Sequence, residues 1–148
     1  MTTIAYRDGV MAADSRAWSG EAHPLGEKTK IRRLDDGRLI GASSNGPGVT
    51  EAVLDWYTAG ADGDNPPKDI GGEFVNMIVV HPDGTAQFAI DRFYLTGRVI
   101  APFFAIGSGK KYAWGALAMG ADAVRAIEVA CLGDHCSAGP ITVLRHGE

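Results

Sequence analysis

The chain has only two cysteines, Cys131 and Cys136. Two cannot build a disulfide framework or a complete zinc site, so they read as reduced thiols. It also lacks any run of about 18 apolar residues, the length a membrane-spanning helix needs. The N-terminus has no basic region followed by an apolar stretch, so it does not read as a secretory signal. A cytoplasmic location, with no membrane partner, is the expectation. Positive charge is scarce too: the formal net charge is -4, which argues against a nucleic-acid partner. The four histidines, His23, His81, His135 and His146, show no metal-ligand spacing and read as surface or turn residues. No metal and no cofactor are expected. Low-complexity tracts are missing as well; the 20 glycines are scattered singly and in pairs, as tight turns and close backbone approaches require.

What is present fits one domain over residues 1–148, with 45% hydrophobic and 22% charged residues. Thr2–Tyr6 is rich in β-formers, Asp8-Gly9 is a hairpin turn, and Val10–Ala13 returns. That second strand is small and apolar throughout, so burial on both faces is expected, with Asp14 at its end. Residues 15–29 look irregular, broken by Gly20, Pro24 and Gly26. A second hairpin follows: Lys30–Leu34, a turn at Asp35-Asp36-Gly37, and Arg38–Ser43. Ser44-Asn45-Gly46-Pro47-Gly48 leads into a helix with Thr50 as N-cap and an end near Gly60. Ala61–Gly72 reads as a surface loop. Phe74–Val80 and Thr85–Ile90 form a third hairpin. Phe93–Leu95, Val99–Ala101 and Phe103–Ile106 are further short strand candidates.

Gly107-Ser108-Gly109 opens a helical stretch from Tyr112 to Met119, broken at Gly120 and resumed over Ala121–Leu132. Trp114, Leu117 and Ala118, then Val124, Ile127, Val129 and Leu132, form apolar stripes expected in the core. A loop over 133–139 precedes a last strand, Ile141–Leu144. Strands pair with near neighbours, so largely antiparallel sheets are expected. The helices come in two batches, which suits one batch on each outer side of a two-sheet sandwich.

The chemistry centres on the first residues. Once Met1 is removed, Thr2 carries a hydroxyl and a free amine on one residue, which together form a nucleophile and its base. The α-amine's ordinary pKa, roughly 7.7–8.0, leaves a useful neutral fraction near pH 7. A retained Met1 acylates that amine and removes the base. Lys28 and Lys30 alternate on an incoming strand, so one of them can point inward. A lysine beside Thr2 favours the alkoxide. A buried lysine needs a carboxylate, and Asp14 is the nearest candidate. Ile106-Gly107-Ser108-Gly109-Lys110 matches neither a phosphate-binding loop nor a nucleophile elbow. It reads as a strand–turn–helix junction whose amides could hold an oxyanion or carboxylate.

These pieces taken in order resemble the proteasome β-subunit family, most closely the HslV-type peptidases of ATP-dependent proteases. They are Thr2-Thr3-Ile4, the apolar strand ending in Asp14, Lys30 with Ile31-Arg32-Arg33-Leu34, the Asp35–Ser43 hairpin, Ala105–Gly109 before a helix, and Asp134 three residues before Ser137. The resemblance implies an α+β, four-layer αββα sandwich of the N-terminal-nucleophile hydrolases. This chain is shorter than the family norm, and the Pro/Gly-rich stretch after the first helix leaves the family's second helix in doubt. It further implies a threonine peptidase with Thr2 as nucleophile and Asp14 and Lys30 as supporting pair. Ser108, Asp134 and Ser137 would organise the amine and its water, and a backbone amide at Asn45 or Gly46 would hold the oxyanion. Implied partners are a peptide or unfolded-protein substrate, a homo-oligomeric ring and an AAA+ ATPase unfoldase. Two other readings stand beside it: an inactive structural or assembly subunit of the same fold, and an N-terminal-nucleophile amidase acting on a small molecule.

Overall fold

The computed structural model describes residues 2–19, 23–46, 48–67 and 75–148. Met1, Gly20, Pro47, Phe74 and the second half of the expected 61–72 loop lie outside them. The first sheet contains β1 (Thr3–Arg7), β2 (Val10–Ala13), β9 (Phe103–Gly107) and β10 (Thr142–Arg145) in the order β10-β2-β1-β9. The second contains β5 (Ile31–Arg33), β6 (Leu39–Ser44), β7 (Val75–Val80) and β8 (Ala86–Ile90) in sequence order. Every pairing is antiparallel.

Strand parity then builds the layers, because neighbouring side chains point to opposite faces. Ile4 and Tyr6 of β1 join Met11, Ala13, Ile31, Leu39, Ile78 and Ile106 between the sheets. Ala5 and Ala12 face the other way, against α2 (Lys110–Ala118) and α3 (Ala123–Gly133). That outer layer is alanine-rich on both sides, with Ala113, Ala123, Ala126 and Ala130 from the helices, so helix and sheet backbones can approach closely. On the opposite face, α1 (Val49–Thr58) seats Val53, Leu54, Trp56 and Tyr57 on Ile40, Ala42, Met77 and Val79. The result is helix, sheet, sheet, helix. Between α1 and β7 the described residues, 59–67, form turns and coil, with no helix among them. No helix among them is long and apolar enough to cross a membrane.

Several local expectations are corrected. The described parts of residues 15–29 are not irregular: β3 (Arg16–Ser19) and β4 (His23–Glu27) form a separate antiparallel ribbon with a register shift between Ala17 and Trp18. Pro24 is tolerated because a two-stranded ribbon leaves one side of each strand without a partner. The N-cap of α1 is Gly48, not Thr50, and it makes no side-chain cap bond. Thr50 is buried in the first turn, 3.1 Å from the Ser44 hydroxyl. Phe93–Leu95 and Val99–Ala101 are not strands; Val99 makes one isolated bridge to Ala86. The expected stripes on the last helices hold in part: Leu117 and Ile127 are fully buried and Val124 packs against them, while Ala118 is exposed. Trp114 and Leu132 are 57% and 83% exposed, and alanines fill the remaining buried positions. His146 is not a plain surface residue, since its ring joins the Tyr6 hydroxyl (2.9 Å) to the Gly37 carbonyl (2.7 Å).

Candidate active site

The β1–β9 register sets Thr3 opposite Gly107 and carries Thr2 alongside Ser108. The Ser108 amide donates to the Thr2 carbonyl at 2.8 Å, and the Gly109 amide donates to Thr3 Oγ1 at 3.0 Å. The amides of this junction are therefore spent on fixing the chain's first residues, not left open for an anion. Both glycines are sterically required. A Cβ on Gly107, which has φ +102°, would run into the Thr2 carbonyl, and one on Gly109 would run into Thr3 Oγ1.

Thr3, which the sequence did not single out, anchors two networks. Its amide donates to Asp14 Oδ1 at 2.9 Å. The other Asp14 oxygen accepts from Lys30 Nζ at 2.9 Å and from the Ala138 amide at 3.2 Å. Lys30 is 1% and Asp14 0% exposed. Burial pushes the Lys30 pKa down, against the charge and hydrogen bond of Asp14, and the net result is below its ordinary value. Lys28 turns elsewhere, to Glu51 at 2.9 Å.

The second network is a relay. Ser108 Oγ and Ser137 Oγ both donate to Asp134 Oδ2, at 2.6 and 2.7 Å. Since Ser137 spends its hydrogen there, Thr3 Oγ1 donates to Ser137 Oγ at 2.7 Å while accepting from Gly109. Burial alone would raise the Asp134 pKa; the two serine bonds and the Cys136 amide outweigh it and hold the carboxyl below its ordinary range. Ser108 Oγ, its hydrogen given to Asp134, keeps lone pairs beside the Thr2 backbone.

A cleft of about 670 Å³ opens at this end of the sandwich. Thr2, Lys30, Asn45 and Gly46 line it together, although they come from four different parts of the chain. Asp14, Ser108, Asp134 and Ser137 stand behind them through the two networks. All eight residues singled out from the sequence thus meet in one region. The ribbon missed in the sequence adds Arg16, Trp18 and Leu25 to the wall, and the α3–β10 loop adds His135 and Cys136. Trp18 Nε1 donates to the Cys136 carbonyl at 2.6 Å, tying ribbon and loop together.

No protein-family model matches the sequence, and no curated protein matches it. Solved structures do. Eukaryotic HslV from Trypanosoma brucei superposes with a TM-score of 0.66 at 19% identity, over 99% of this chain and 100% of that one. BPH of Thiobacillus denitrificans gives 0.63 at 19% identity, over 99% and 98% of the two chains. The chain has the HslV-type fold, a proteasome-like α+β sandwich in shortened form.

Proposed function

We propose that this HslV-type fold houses a threonine-type endopeptidase, a single peptidase domain over residues 1–148, active once Met1 has been removed. The observation that carries the reading is the buried Lys30–Asp14 pair beside Thr2. A buried ion pair is seldom better for stability than apolar packing, so its presence at a cleft asks for a chemical reason. An ammonium next to a hydroxyl supplies one by favouring the alkoxide.

In this reading Thr2 Oγ attacks the peptide carbonyl while the Thr2 α-amine takes its proton. The oxyanion is held by a backbone amide of Asn45 or Gly46, a fixed donor that costs no reorganisation. The new ammonium returns the proton to the leaving amine, leaving an ester on Thr2. Water, activated by the same α-amine, hydrolyses it. Ser108, with its hydrogen committed to Asp134, accepts from the α-amine and orients it; Ser137 and Asp134 keep Ser108 in place. Substrates are peptides or unfolded proteins that reach the cleft as extended chains. We place the subunit in a homo-oligomeric ring in the cytoplasm, fed by an AAA+ unfoldase, because an unguarded peptidase would cut its neighbours.

The test combines intact mass with kinetics. The active form should lack Met1, and Thr2→Ala should abolish peptide hydrolysis while remaining folded. Equal turnover by Thr2→Ala removes the nucleophile assignment. A purified protein that keeps Met1 and cleaves nothing is instead the inactive assembly subunit.

A further inference from the structure

We infer that Asp134, His135 and Cys136 form a zinc site at the wall of the cleft, and that zinc bound there shuts the peptidase off. The three residues follow α3 in a tight turn that gathers a carboxylate oxygen, an imidazole nitrogen and a thiol sulfur within 4.8 Å of one another. A tetrahedral zinc with bonds of about 2.0–2.3 Å asks for donor separations of roughly 3.3–3.8 Å. The exposed His135 side chain can close that gap by rotation. The donor set is selective: thiolate and imidazole favour zinc over magnesium or calcium, which prefer all-oxygen sites.

The Asp134 carboxylate has the capacity. Its Oδ2 is committed to Ser108 and Ser137, but Oδ1 accepts only a long 3.3 Å bond from the Cys136 amide. Oδ1 can ligate while Oδ2 keeps both serines. His135 and Cys136 line the same cleft as Thr2, so the fourth position is open to water or to a substrate group. Three protein donors with one open position is the arrangement of an exchangeable zinc, not of a closed structural one. On binding, the Cys136 S–H bond breaks, an S–Zn bond forms, and the proton leaves to the buffer.

The inhibition, though not the binding, rests on the peptidase reading. A dication in the cleft that Thr2 lines makes a second positive charge there costlier, and the α-amine must accept a proton to act as base. The metal also fills space that the substrate needs.

Two measurements separate the claims. Calorimetric titration with zinc chloride should show one site per chain with proton release, and cobalt(II) should give a thiolate-to-metal charge-transfer band. His135→Ala and Cys136→Ala should each weaken zinc binding by at least about tenfold, and Cys136→Ala should lose the band. Binding unchanged in both variants, or absent in the wild type, overturns the site. Zinc should then lower wild-type peptide hydrolysis, and a higher zinc concentration should be needed in each variant, scaled to its own zinc-free rate. Zinc bound by this trio with turnover unaffected overturns the inhibition alone. A protein that binds zinc as described but cleaves no peptide keeps the site and removes the peptidase reading.

Discussion

Lys30 and Lys28 sit two residues apart, both line the cleft, and only Lys30 joins Asp14. Lys30→Ala should therefore cut peptide hydrolysis by roughly a hundredfold or more, with Lys28→Ala far milder. Equal effects would remove the argument from the buried pair. Asp14→Asn takes the carboxylate from a buried ammonium and should cost about 3–5 kcal/mol in chemical denaturation, with a comparable loss of rate. Asp134 makes a separate claim on pH. Its folded pKa lies below the ordinary value, so the folded state binds that proton less tightly than the unfolded one. Its contribution is complete at neutral pH and is lost as pH falls through the folded pKa. Asp134→Asn should thus cost stability at pH 7 and lose that deficit in strong acid; a deficit that stays constant with pH contradicts the assignment. The residues of this site were legible because charge inside an apolar pattern is conspicuous: Asp14 ends a buried strand, and Lys30 opens one. Thr3 was not legible. It lies beside Thr2 with the same side chain, and only the strand register shows that its hydroxyl feeds Ser137 while Thr2 lines the cleft.

Among the elements, two glycines give opposite expectations. A Cβ on Gly107 meets the Thr2 backbone, which cannot move without shifting β1 against β9. Gly107→Ala should lose about 1–3 kcal/mol and disable the site. Gly115 lies inside α2 with open space where a Cβ would go, so Gly115→Ala should gain about 0.4–1 kcal/mol and leave turnover intact. Thermal unfolding of both variants checks the pair, and similar behaviour would contradict the geometry. The same contrast explains what sequence pattern could and could not reveal about the elements. β1 and β2, with their Asp8-Gly9 turn, and β6 with β7 are long enough in apolar residues to show their period. The β3–β4 ribbon has no such period, because neither strand is buried: β4 is exposed throughout and β3 is half-buried. Its Pro24 and Gly26 read as breakers. Two positions on the helix faces failed for another reason. In α2 and α3 Leu117 and Ile127 are buried as their period demands, but the rest of the buried face is alanine packed on Ala5 and Ala12, and a hydrophobicity pattern weights Trp114 and Leu132 above those alanines.

At the scale of the molecule, those misplaced side chains carry the last expectation. Trp114, Leu132 and Met119 lie on the outer helix layer at 57%, 83% and 90% exposure, although the Trp114 ring keeps an edge contact with Phe103 of β9. A lone soluble chain gains nothing by showing large apolar groups to water, whereas a closed ring hides them against complementary patches on its neighbours. A ring also encloses the clefts, which an indiscriminate peptidase requires. Light scattering at micromolar concentration should give one monodisperse mass, near about six, seven, twelve or fourteen subunits. Leu132→Glu and Met119→Glu should lower it by placing charge where neighbours meet. If the mass survives both substitutions, the contacts lie off the α2–α3 layer. A stable monomer with full peptide hydrolysis would mean that access to Thr2 is limited by the cleft alone, and the need for an enclosing ring and a dedicated unfoldase would disappear with it.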